Sequence, residues 1–117
     1  MALALMRGIS YDQKARLILN VANRGTLTQL DDEAVVEVPC TVDRDGAHPL
    51  AGSALPEVGV GLVTTMKYVE RQTIQAATTG SASAALRALA THPLIDSVRV
   101  ARALLDDARA SFPDLDY

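Results

Sequence analysis

The residues able to do chemistry are few and scattered: one cysteine, Cys40; two histidines, His48 and His92; the acidic run Asp31-Asp32-Glu33; and arginines at element boundaries, Arg16 and Arg24. A metal site needs several His, Cys or carboxylate ligands at short, recurring spacings. Cys40 has no second ligand beside it in the sequence and reads as a small packed hydrophobe. His92 precedes Pro93 and suits a helix-ending turn; His48, next to Pro49, is the histidine better placed to approach a site in a larger assembly. Asp31-Asp32-Glu33 precedes a run of strand-forming residues, where a solvated turn is the simpler reading than a metal or general-acid pair. Glu37 alternates with valines and faces a polar surface, while Glu70 and Arg71 belong to surface or interface ion pairs worth less than about 1 kcal/mol. Asn23, in the turn Asn23-Arg24-Gly25, suits a hydrogen bond to its own backbone.

Positioning these groups falls to one domain of mixed α and β character. With 117 residues, the chain is long enough to remove roughly two-thirds of its unfolded surface from water. A single cysteine excludes an internal disulfide and suits a reducing cytosol, so a soluble, cytoplasmic protein is expected. The net charge of −3, with both signs interspersed, offers no basic stripe for nucleic acid. Three Tyr, one Phe and no Trp provide little base-stacking surface. No apolar run approaches the ~20 residues that cross a bilayer, and the apolar first six residues lack the features of a signal peptide.

Leu3, Leu5, Met6 and Ile9 recur at near-helical spacing, predicting a helix over 2–12, with Gly8 and Ser10 fraying its end. Leu17-Ile18-Leu19 and Val21 predict a strand covered on both faces. Val35, Val36, Val38 and Val42 predict a second strand, in which Pro39 implies an edge or a bulge. Asp43-Arg44-Asp45-Gly46 is a tight-turn sequence that folds the chain back through 47–50. A link at 51–56 leads to a long helix over 57–79 closed by Gly80. Two further helices follow: one capped by Ser81, with Ala85, Leu86 and Leu89 buried, and one capped by Asp96, with Val98, Ala101, Leu104, Leu105 and Ala108 inward.

Two segments, Asn20-Val21-Ala22-Asn23-Arg24-Gly25 and Val36-Glu37-Val38-Pro39-Cys40, resemble in order and spacing the Asn-Val-Pro-Asn-x-Gly and Val-Glu-Val-Pro-Cys runs of the C-terminal domain of family 4 glycoside hydrolases. Met66–Gly80, His92-Pro93-Leu94 and Val100–Leu105 extend the resemblance over nearly all of residues 1–112. Ala22 stands where the family usually has proline, and Arg24 where it often has a small or polar residue.

The resemblance implies an α/β (α+β) domain with a mixed sheet and packed helices, similar to the C-terminal domain of lactate and malate dehydrogenases. It implies the C-terminal, pocket-shaping and oligomer-forming part of a 6-phospho-glycosidase-like hydrolase that uses NAD and a divalent metal such as manganese. The implied chemistry is hydride abstraction at the sugar C3, proton removal at C2, elimination of the aglycone and reversal. The family's Gly-rich nucleotide turn, its Cys-Asn-Pro-like metal motif and its metal-binding His are not in this sequence, and Tyr11 lies too far along to match its tyrosine base. The expectation is therefore no catalytic residue and no metal ligand in this chain, no turnover by it alone, and a nucleotide-binding N-terminal half as partner. Arg16 matches a substrate-contacting arginine of the family, and a guanidinium fork suits a sugar phosphate; Asn23 is the second candidate substrate contact. The alternatives are a free-standing helical self-association or protein-interaction module using the apolar faces of 2–9 and 57–79, and a malate dehydrogenase-like C-terminal half, disfavoured because no His-centred catalytic pair is present.

Overall fold

The computed structural model describes residues 1–50, 52 and 54–115. Helix α1 (Ala2–Tyr11) leads into strands β1 (Ala15–Ala22), β2 (Val35–Asp43) and β3 (Gly46–Pro49), and helices α2 (Glu57–Thr79), α3 (Ala82–Thr91) and α4 (Val98–Ser111) complete the chain. The fold is α+β and divides into two compact units, 1–56 and 57–117. Of the link expected at 51–56, residues 51 and 53 lie outside the described residues.

The first unit is a three-stranded antiparallel sheet, β1-β2-β3, with one face covered. Val36, Val38, Cys40 and Val42 of β2 are buried on that face, and Leu19, Val21, Leu27 and Leu30 pack against the cluster. The expectation that β1 is covered on both faces is corrected: its residues alternate between half-buried and exposed, and Ile18 is 54% exposed. The apolar run reflects a strand whose second face stays open in this chain rather than the two-sided burial of a parallel sheet.

Gly8 also departs from expectation. Instead of fraying α1 it is the helix's buried residue, and a Cβ built on it would lie 2.8 Å from Val42 Cγ1. The missing side chain lets α1 settle directly on β2. The helix ends at Asp12, in the left-handed region with φ 55°, whose carboxylate accepts the Arg44 N–H at 3.2 Å and meets Arg44 Nε at 3.4 Å.

Pro39 lies inside the central strand, yet it breaks no ladder bond. In an antiparallel strand the N–H and C=O of one residue point to the same side, and Pro39 O accepts the Leu50 N–H, so its missing donor faces the side where β3 ends at Pro49. The strand is central for its second half and an edge for its first, and proline sits at the change. The turn Arg44-Asp45 closes the β2–β3 hairpin as expected, with Gly46 at φ 112°, a value that favours glycine.

The second unit is a three-helix bundle in which α3 packs against both α2 and α4. Gly80, at φ 63°, ends α2 with a bond from Ser81 N to Ala76 O, and the Ser81 hydroxyl then accepts Ala84 N to start α3. The cap of α4 is Ser97, not Asp96: its hydroxyl accepts Val100 N at 3.2 Å, the reach from N-cap to third helical residue. The buried faces are also narrower than expected. Alanines 84, 85 and 88 form the floor of α3, with Leu86 and Leu89 only partly covered, and α4 buries Ala101 and Leu105 while Val98 and Leu104 stay exposed.

Candidate functional site

The open face of the sheet carries a row of polar side chains. Cross-strand partners share a face, and the pairing sets Arg16 of β1 opposite Thr41 of β2, and Thr41 opposite His48 of β3. Two residues further along, Ile18 faces Pro39, and beyond that Asn20 faces Glu37. The face is therefore polar and charged at one end and apolar in the middle.

At the polar end, His48 Nε2 lies 2.9 Å from Asp43 Oδ1, and Asp45 N donates to the same oxygen at 3.0 Å. The hydrogen bond from His48, followed by that from Asp45, holds the Asp43 carboxyl below its ordinary range, with the nearby positive charge of Lys14 adding a smaller push. His48, expected as the more site-like histidine, thus stands on the same face as Arg16.

Asn23 is placed otherwise than its candidacy as a substrate contact requires. Its side chain is fully buried. Nδ2 shares its two protons among the carbonyls of Leu27, Leu30 and Asp31 at 3.0, 2.9 and 3.1 Å, and Oδ1 accepts Leu27 N at 2.7 Å. Every polar atom is spent on its own loop, so no group is left for a sugar; the residue organises the connection from 23 to 34. Arg24, beside it, is exposed and holds φ 43°, a conformation that non-glycine residues adopt rarely.

The remaining candidates are structural. Cys40 is buried, with its thiol 3.4 Å from Val38 O. Asp31 caps its own turn through Glu33 N, and Glu70 pairs with Lys67 Nζ at 2.7 Å. His92 accepts Leu94 N through Nδ1 in the turn after α3. It borders an open apolar groove of about 460 Å³ whose floor includes Val69, Ala76, Ala88 and Leu105. The other polar group there, Thr73, donates back to Val69 O, so the groove offers little chemistry.

Thr41, which the sequence pattern does not single out, lies between Arg16 and His48 in the register. Half of the signal was present, because a two-residue turn between Asp43 and Gly46 fixes Thr41 opposite His48. The other half, Arg16 opposite Thr41, depends on a register that the long connection from 23 to 34 does not specify.

The fold is α+β, and among the described residues no three His, Cys, Asp or Glu side chains come together to hold an ion. Residues 1–95 match the family 4 glycosyl hydrolase C-terminal domain, and the chain belongs to that family. It is 36% identical to a 6-phospho-alpha-glucosidase of Leptotrichia buccalis over 103 residues, 88% of this chain and 23% of that protein. It is 34% identical to maltose-6'-phosphate glucosidase of Bacillus subtilis over 116 residues, 96% of this chain and 26% of the relative. The 6-phospho-beta glucosidase of Thermotoga maritima, solved with NAD and glucose-6-phosphate, superposes with a TM-score of 0.88 at 30% identity, covering 98% of this chain and 28% of that one. A 6-phospho-alpha-glucosidase from gut microorganisms, solved with NAD and Mn2+, gives a TM-score of 0.93 at 26% identity, over 98% of this chain and 26% of the other. The chain thus spans about a quarter of the length of the relatives it matches. No described helix is long and apolar enough to cross a membrane.

Proposed function

We propose that this chain is the C-terminal, substrate-facing part of a 6-phospho-glycosidase-like enzyme, in which Arg16 holds the phosphate of a phosphorylated sugar. The observation that carries this reading is the position of Arg16: an exposed guanidinium on the open face of the sheet, with no internal partner among the described residues, in a family 4 chain. A fork of N–H donors that the fold leaves unused is suited to a dianionic phosphate. The relatives named as 6-phospho-glucosidases, and a solved relative carrying glucose-6-phosphate, supply the substrate class.

NAD and a divalent metal such as manganese belong in this reading to the whole protein. The residues of this chain do not fit either group: the described residues lack a cluster of metal donors, and the sequence has no Gly-rich nucleotide turn. The chain by itself is expected to show no turnover. The purified chain, supplied with NAD, Mn2+ and a chromogenic 6-phospho-glucoside, tests this; sustained cleavage overturns it. Glucose-6-phosphate binding tests Arg16: Arg16→Ala should abolish it, and undiminished binding would remove Arg16 from the site.

A cytoplasmic location accords with a phosphorylated-sugar substrate and a single, buried, free thiol. Homo-oligomerisation, with or without a nucleotide-binding partner half, is the second reading. It is favoured by exposed apolar side chains on one helical spacing of α1 (Leu3, Met6 and Ile9) and on α2 (Val58, Leu62 and Ile74). Light scattering at rising concentration checks it, and a strictly monomeric chain would count against it.

A further inference from the structure

We infer that Thr41 and His48 complete, with Arg16, an anion-binding row that crosses all three strands of the sheet and is built to receive a phosphate group; this rests on the reading of Arg16 given above. The row follows from register alone. Arg16 pairs with Thr41 and Thr41 with His48, so the three share one face in a line perpendicular to the strands. Strands lie about 4.8 Å apart, which puts the outer two Cα atoms roughly 10 Å from each other with Thr41 between them. A tetrahedral anion above Thr41 is within reach of the long Arg16 side chain from one side and of the imidazole from the other.

The donors are complementary and available. Arg16 supplies a planar fork and Thr41 a hydroxyl, and among the described residues neither has a partner within the chain. His48 is committed on one ring nitrogen, Nε2, to Asp43, which leaves Nδ1 for a ligand. The groups facing His48 are Asp43 and Thr41 of β2, Asp45 of the turn, Arg16 of β1 and Lys14 just before it. Asp43 is the carboxylate nearest the row, and it is occupied by His48 and by the Asp45 N–H. Lys14 and Arg16 bring positive charge to this end of the face. Carboxylate binding would use the Arg16 fork alone, whereas a third oxygen uses Thr41, which is why a phosphate ester is the fitting class.

The test is a titration of the isotopically labelled chain with inorganic phosphate, glucose-6-phosphate and glucose, followed by NMR at the amides of Arg16, Thr41 and His48. The expected result is that both phosphates shift all three amides with one dissociation constant and glucose shifts none. Thr41→Val and His48→Gln, folded by the criterion of unchanged spectra elsewhere, should each weaken binding by about 10-fold or more, the range for losing one hydrogen bond to a charged group. A sugar-phosphate subsite binds glucose-6-phosphate more tightly than inorganic phosphate; equal affinities make the row a site for the phosphate group itself, as stated. If Arg16→Ala loses binding while Thr41→Val and His48→Gln match the parent, the row is refuted and the Arg16 reading stands. If Arg16→Ala binds as the parent does, or no phosphate shifts these amides, both fall.

Discussion

Replacing Asn23 with alanine should destabilise the first unit by about 3 kcal/mol, and the figure can be worked from the hydrogen bonds it removes. The substitution strands the Leu27 N–H and takes the amide from three carbonyls, those of Leu27, Leu30 and Asp31. A buried polar group left without a partner costs about 1–3 kcal/mol, and carbonyls that reach water or another donor cost less. The Leu27 N–H counted in full and the three carbonyls at a small fraction each give about 3 kcal/mol, a sizeable part of a total stability of roughly 5–15 kcal/mol. Urea unfolding followed at a first-unit probe should show the lower midpoint, and amide exchange should show Leu27 losing protection while α3 keeps its own. Asn23→Asp sharpens the test. It keeps the acceptor for Leu27 N but turns a carboxylate toward three carbonyl oxygens, so the folded-state pKa of the new Asp rises above its unfolded value. Its destabilisation is then full at neutral pH and relieved as pH falls through that raised value. A loss below about 0.5 kcal/mol for Asn23→Ala, or an Asn23→Asp variant indifferent to acid, would refute the view that this side chain holds the loop.

Gly8→Ala should destabilise by about 1–3 kcal/mol through overpacking against Val42, outweighing the roughly 1 kcal/mol by which alanine favours a helix; a raised melting temperature would refute the contact, and Val42→Ala should partly restore the double variant. Ser97→Ala should cost about 1 kcal/mol in the second unit while Asp96→Ala costs little, read by thermal melts that distinguish the two caps. The depressed pKa of Asp43 means that its contribution to stability is present above its unfolded value and is lost as pH falls through the folded one; His48→Ala should move its titration upward by NMR, and an unmoved titration would show that the histidine is not the cause.

The helices of the second unit were legible because their punctuation is local. Ser81 and Gly80 mark their boundaries by chemistry that acts over three or four residues, and α2 and α3 run between the residues that the pattern marks. Asp96 is the cap the pattern suggests for α4, and the neighbouring Ser97 takes the role because its hydroxyl accepts the N–H of Val100. Periodicity overstated burial in α3 and α4: close packing in α3 falls to Ala84 and Ala88, which a search for large apolar groups passes over, and Val98 and Leu104 of α4 stay exposed. In the first unit, the apolar run of β1 says how greasy the strand is and nothing of which face is covered. The role of Gly8 is set by Val42, far along the chain, and no local pattern contains it. Arg16 was found through family likeness; its neighbours on the sheet required a register. Asn23 stood out as a turn residue, but the reach of its amide to residues up to eight positions away was not visible.

Pro39 has a consequence for the fidelity of folding. Paired with Ile18, it turns its absent donor away from β1 and toward the end of β3. A slip of one residue between β1 and β2 would reverse the facing of every side chain in β2 and aim that gap into the β1 ladder. The misaligned hairpin would expose Val42 and Cys40 and lose a bond in the same event, so a single imino acid acts as a proofreading mark for the alignment that brings Arg16, Thr41 and His48 into line.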